Sequence, residues 1–178
     1  IASCLVGSEM CIRDSPRTRL NELPVIGRHS RDNPMKWPED AGAIESAYPT
    51  NGTAHVRSMG GTSYAQRVLG LNQPPENWDS LAKDAEPVVD FLHSLDYYVF
   101  FQHSNAIEAF GRAVLEAIAA NLVVILQRNY EEVFGEAAIY ADPEEVADII
   151  RDFQNDPQSY ACLLYTSPSP TRQEAISY

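Results

Sequence analysis

The stretch EAFGRAVLE, residues 108 to 116, carries a glutamate at each end of an otherwise mostly apolar run. At about 3.6 residues per turn, eight residues make a little over two helical turns, so Glu108 and Glu116 share one broad helix face, roughly 12 Å apart along the axis. Carboxylates accept hydrogen bonds from hydroxyls, and this separation lets one end touch a sugar while the other touches a ribose. The same spacing has an ordinary explanation: Glu108, Arg112 and Glu116 at i, i+4 and i+8 form a ladder of helix-surface ion pairs. Spacing alone favours the ladder, because most such pairs are solvated.

A second group of chemistry-bearing residues follows the apolar run LPVIGR (23–28). Gly27, Arg28, His29, Ser30, Arg31 and then Lys36 come in quick succession, while Gln102, His103, Ser104 and Asn105 follow YYVFF (97–101) and lead to Glu108. The first turn of a helix leaves backbone N–H groups unpaired and carries the positive end of the dipole, so a helix starting near Glu108, with Gly111 allowing close approach, suits phosphate. Arg28 would add a forked two-point contact and Lys36 a mobile point charge. The ligand these groups imply is a diphosphate. Taken alone, an arginine and a lysine after a strand are usually solvated surface, and His29 and His103 read as structural histidines. No GxGxxG or Walker A pattern occurs, so the dinucleotide dehydrogenase and P-loop readings lack their fingerprint. Nor is there an Asp-x-Asp pair, the usual sequence hint of a metal-held sugar nucleotide.

The elements that must position these residues alternate. LPVIGR, AHVRSM (54–59), YYVFF, LVVILQ (122–127) and AAIYA (137–141) are short apolar runs rich in β-branched or aromatic residues, which predicts buried strands. Between and after them, residues 38–48, 62–71, 86–95, 108–121 and 142–156 have helical character. The last opens with Asp142, Pro143 and two glutamates, a helix-start signature. Strand and helix in alternation, with short connections and no repeats, predict one domain of the α/β class: a Rossmann-like open parallel sheet with helices on both faces. Ligands in such sheets bind beyond the carboxyl ends of the strands, where the residues above fall.

Composition narrows the field. The 178 residues include 25 acidic and 13 basic ones, a net charge of -12, which argues against a nucleic-acid partner. The opening CLVGSEMCIRDS (4–15) and the closing CLLYTSPSPTR (162–172) resemble translations of the two strands of one sequencing adapter. Residues 1–15 and 162–178 are accordingly expected to be adapter-derived or unassigned, and 16–161 the natural domain. Cys4, Cys11 and Cys162 all lie in those tracts, which removes any disulfide, thiolate-metal or cysteine-nucleophile reading. The sequon at Asn51 reads as a chance match in a turn.

EAFGRAVLE resembles the Glu, seven residues, Glu hallmark of the retaining "group one" glycosyltransferases of the GT-B fold. The continuation through DPEEVADIIRDFQNDPQSY (142–160) and the front PVIGRHSRDNPMKWPE (24–39) are similar to the carboxy-terminal domain of that family. The resemblance implies the C-terminal half of a GT-B fold, taking a UDP- or GDP-linked sugar donor and transferring its sugar with retention, without a metal or other cofactor, to an acceptor. It implies that Glu108 meets hydroxyls of the transferred sugar, that Glu116 holds the ribose hydroxyls, and that Arg28 and Lys36 stabilise the leaving diphosphate, aided by backbone around Ala109, Phe110 and Gly111. Gly27 belongs to the same donor site. Two departures stand out: the Arg28 to Lys36 stretch is longer than the family turn, so Arg31 competes for the role of Lys36, and Trp37 stands where glycine usually follows the lysine. The expected location is cytoplasmic, or peripheral to a membrane in the full-length protein, and the resemblance further implies a separate N-terminal Rossmann-like domain that binds the acceptor, without which residues 16–161 would turn over no acceptor. Two alternatives remain: a non-catalytic α/β interaction module of the receiver or flavodoxin type, and a nucleotide-sugar epimerase of the same fold.

Overall fold

The computed structural model describes residues 20–106 and 111–166, with backbone only for the last two. Six strands form one parallel sheet: β1 (Val25–His29), β2 (His55–Met59), β3 (Trp78–Leu81), β4 (Tyr97–Phe100), β5 (Val123–Gln127) and β6 (Ile139–Ala141). Their spatial order is β3-β2-β1-β4-β5-β6. Parallel neighbours need crossovers, which are supplied by α1 (Ala41–Ala47), α2 (Ser63–Val68), α3 (Val88–His93), α4 (Arg112–Ala119) and α5 (Glu131–Phe134). Helices α6 (Val146–Asn155) and α7 (Pro157–Thr166) complete the described chain. This is a Rossmann-like α/β sheet, and its order departs from the 2-1-3-4-5 order of receiver and flavodoxin modules.

Period-two alternation divides the core. On β4 and β5, Tyr97, Val99, Val123 and Ile125 pack with α1, α6 and α7, whereas Tyr98, Phe100, Val124 and Leu126 pack with α3, α4 and α5. Both faces are covered, which is why these strands read as continuous apolar runs. The acidic start at Asp142 forms a capping box: its side chain accepts from the Glu145 backbone, while Glu145 accepts from the Asp142 N–H at 2.7 Å. A 3-10 turn, Pro143–Glu145, then leads into α6.

Three elements differ from expectation. β3 is unforeseen because WDSL is an edge strand with one buried residue, Trp78, and polar neighbours. The expected helix at 108–121 is helical from Arg112 to Ala119; residues 107–110 lie outside the described residues. Helix α7 is not foreseen in the sequence; Tyr160 and Leu164 are buried against the sheet, and the Tyr160 hydroxyl donates to the Asp96 carbonyl at 2.8 Å. Among the described residues no helix is long and apolar enough to cross a membrane.

Ile125 is fully buried on β5, between β4 and β6, so Ile125→Ala is expected to cost about 2–5 kcal/mol. Asp142→Ala, which removes half of the capping box, is expected to cost about 1 kcal/mol. Urea unfolding of the two variants checks both the order and the sizes.

Candidate functional site

The sheet order reverses between β1 and β4, and their carboxyl ends open a crevice at that point. A cavity of about 620 Å³ occupies it. From β1 and the loop after it come His29, Ser30, Arg31, Asn33 and Lys36; Met59 and Gly60 come from the end of β2, Lys83 and Asp84 from the link between β3 and α3, Val88 from the start of α3, and Gly111, Arg112, Ala113 and Glu116 from the start and middle of α4. Four basic side chains face two acidic ones there, in a chain whose net charge is -12. The N-terminus of α4 opens onto the same space, adding the positive end of its dipole. The arrangement suits an anionic ligand with hydroxyl groups.

The loop from Ser30 to Trp37 is tied down along its length. Asn33 caps a 3-10 turn, Pro34–Lys36, accepting from the Met35 N–H at 2.8 Å. Asp32 accepts from the N–H groups of Ser63 and Tyr64, at 2.8 and 3.1 Å, at the start of α2. The Ser30 N–H donates to the Met59 carbonyl, extending the β1–β2 ladder into the loop. Gly60 is what permits this approach: a Cβ there would sit 1.9 Å from the Ser30 carbonyl oxygen, and its φ is +117°. On the other side of the crevice, Ser104 donates through N–H and hydroxyl to Glu39, holding the loop after β4. The Ser104 hydroxyl, as the largest influence, keeps the Glu39 carboxyl below its ordinary range.

Arg28 and Gly27 are placed differently from the arrangement expected for them. Because successive residues of a strand face opposite ways, Arg28 points with Ile26 towards α1, away from the cavity, and is fully buried. One guanidinium nitrogen donates to the Tyr48 hydroxyl at 3.1 Å and to the Phe101 carbonyl; the other donates to the Ser30 hydroxyl at 2.9 Å and to the Lys36 carbonyl. The guanidinium lies 3.7 Å from the centre of a Trp37 ring. Burial pushes the Tyr48 phenol up from its ordinary range, with the Arg28 charge opposing, so Tyr48 keeps the proton it donates to the Val99 carbonyl at 2.9 Å. Gly27 does not line the cavity either: the space where its Cβ would lie is filled by Leu95, 2.2 Å away, so the glycine serves close packing.

Lys36, Arg31, Gly111 and Glu116, by contrast, all face the cavity. Glu108, Ala109 and Phe110 lie outside the described residues. Half of the expected ladder is present: Arg112 Nε lies 3.7 Å from Glu116 Oε1. The unexpected contact is on the other oxygen, where His29 Nε2 lies 2.7 Å from Glu116 Oε2. Residue type gives no reason to single out His29, and its partner is 87 positions away. Lys83, Asp84 and Val88 go unnoticed in the sequence along with β3, which brings them to the crevice. His103 does not line the cavity; its Nδ1 accepts from the Asn105 N–H at 3.1 Å. Among the described residues no cluster of metal-ligating side chains occurs.

The architecture matches the Rossmann-like α/β fold of GT-B glycosyltransferases. Among solved structures, HepE from Anabaena, determined in complex with UDP-glucose, matches 82% of this chain and 43% of its own with a TM-score of 0.59 at 19% identity. Sucrose-phosphate synthase from Thermosynechococcus elongatus matches 82% and 39%, with a TM-score of 0.61 at 18% identity. A glycosyltransferase from Rickettsia africae matches 88% and 47%, with a TM-score of 0.58 at 13% identity. The chain thus matches less than half the length of each of these neighbours. No protein-family model matches the sequence, and no curated protein does.

Gly60→Ala is expected to cost well above the 1–2 kcal/mol or so of an unfavourable backbone angle alone, because the new methyl meets backbone. Gly52, with φ +79° and open space around it, supplies the comparison: Gly52→Ala should show the backbone cost only. Urea unfolding of the pair measures the difference.

Proposed function

We propose that this chain is the donor-binding, carboxy-terminal domain of a retaining, metal-independent glycosyltransferase of the GT-B fold, taking a UDP- or GDP-linked sugar. The observation that carries the reading is the meeting of Glu116, Arg31, Lys36, Arg112 and the start of α4 around one cavity at the switch point of the sheet. A nucleoside diphosphate needs a cationic cradle and, at its ribose, an acceptor of hydroxyl hydrogen bonds. The first need is met by the basic side chains and the helix start, the second by the Glu116 carboxylate.

In this reading Glu116 accepts from the ribose hydroxyls, while Lys36 and Arg31 meet the diphosphate across the cavity from α4. Charge that builds on the leaving diphosphate would be stabilised by groups already fixed in place, which is commonly the main source of rate acceleration in such reactions. Arg28 acts through the loop: it grips the Lys36 carbonyl and so sets where the Lys36 ammonium begins. Glu108 is assigned the sugar hydroxyls on the strength of the sequence resemblance. Acceptor binding is assigned to a further Rossmann-like domain, as fits the share of the neighbours that this fold occupies. We place the protein in the cytoplasm, where nucleotide sugars would serve it, and the acidic balance argues against a nucleic-acid partner.

Calorimetric titration of the chain with UDP and with GDP tests this. Saturable binding of one nucleotide is expected, weakened by roughly 1.5–3 kcal/mol, tenfold or more, in Glu116→Ala, since a hydrogen bond to a charged group is lost. A folded chain that binds neither nucleotide would sink the donor-site reading. A second expectation concerns the loop: Arg28→Ala should weaken nucleotide binding and lower the urea midpoint together, whereas Lys36→Ala should weaken binding with the midpoint nearly unchanged.

A further inference from the structure

We propose that His29 is a positioning residue for nucleotide recognition: its imidazole sets the Glu116 carboxylate so that the site distinguishes a ribonucleotide from its 2′-deoxy counterpart. The inference rests on the reading of Glu116 as the ribose-binding residue and goes beyond it, because it assigns the discrimination to a pair. His29 Nε2 lies 2.7 Å from Glu116 Oε2, and both residues line the cavity.

The two partners differ in freedom. Glu116 projects from α4 with its side chain 40% exposed, and an exposed glutamate ordinarily samples many rotamers. His29 is 8% exposed and is the last residue of β1, so its backbone belongs to the sheet. Its ring meets Tyr98 and Phe91 edge-on, at 5.5 and 6.0 Å between centroids, which fixes the ring plane. The rigid member therefore places the mobile one. With Nε2 donating to Oε2, that oxygen keeps its remaining lone pair, and the exposed Arg112, 3.7 Å from Oε1, is a weaker restraint. A carboxylate held in one orientation meets two neighbouring hydroxyls of a ribose together; a swinging one meets either singly and reads their number poorly.

Nδ1 gives a second sign that the ring is not placed for packing alone. It is buried and has no hydrogen-bond partner among the described residues, an arrangement that costs free energy and that leucine would avoid. The contact to Glu116 at the other nitrogen is the polar function that the ring retains.

The test compares UDP with 2′-deoxy-UDP and GDP with 2′-deoxy-GDP, by calorimetry, on the wild-type chain and on Glu116→Ala, His29→Leu and His29→Gln. Leucine fills the ring space without a donor, while glutamine keeps an N–H that can reach Glu116. The wild type should prefer the ribonucleotide about tenfold, and Glu116→Ala should abolish the preference. His29→Leu should bring the preference to within about twofold while its affinity for the 2′-deoxy form stays within about threefold of wild type, and His29→Gln should restore part of the preference. A purely structural histidine would lower both affinities alike and leave their ratio intact. That result, or full preference in a folded His29→Leu chain, overturns the inference and leaves the Glu116 assignment standing. A wild type without ribonucleotide preference, or a preference that survives Glu116→Ala, overturns the Glu116 assignment and this inference with it.

Discussion

The arrangement at the head of the sheet depends on the enclosed charge of Arg28. A guanidinium removed from water is tolerated only when hydrogen bonds and aromatic faces replace its hydration. Here the replacements come from separate parts of the chain: Tyr48 after α1, the carbonyl of Phe101 beyond β4, Ser30 and the Lys36 carbonyl in the loop, and Trp37 beneath. Each partner satisfies the cation only from its present position. The loop carrying Lys36 is therefore fixed from below, although it lies at the surface and has little regular structure.

Adjacent positions on β1 then divide two tasks. Residue 28 faces the core and organises the loop; residue 29 faces the crevice and touches α4 through Glu116. The pleat alone produces this division, because neighbouring side chains on a strand leave by opposite faces. The consequence is a cavity whose two walls are each referred to β1, the strand at which the sheet reverses. Positive charge concentrates there within an acidic protein, which favours an anion at the crevice.

Much of this is legible in the amino-acid order. The five apolar runs and the capping signature at Asp142 announce strands and a helix, since buried parallel strands must be apolar throughout and a helix start needs acceptors for its free N–H groups. Gly111, Lys36 and Glu116 stand out by type and spacing and do face one cavity. β3 escapes because an edge strand needs only one buried residue, and with it go Lys83, Asp84 and Val88. The direction of Arg28 escapes for a different reason: whether a strand residue faces the core or the ligand depends on the parity of its position, and the sequence around LPVIGR is apolar on both parities. The His29–Glu116 contact joins β1 to α4 across the fold, and no local pattern encodes such a pairing.

The stack beneath the loop has an optical side. The chain's two tryptophans, Trp37 and Trp78, lie with ring centroids 6.3 Å apart and planes within 6° of parallel, both buried and one of them under the Arg28 guanidinium. All indole emission from this protein therefore originates at one spot, next to the loop that bears Lys36. The chain carries its own fluorophore between the loop after β1 and the start of β3, and a shift of the loop registers there without any label.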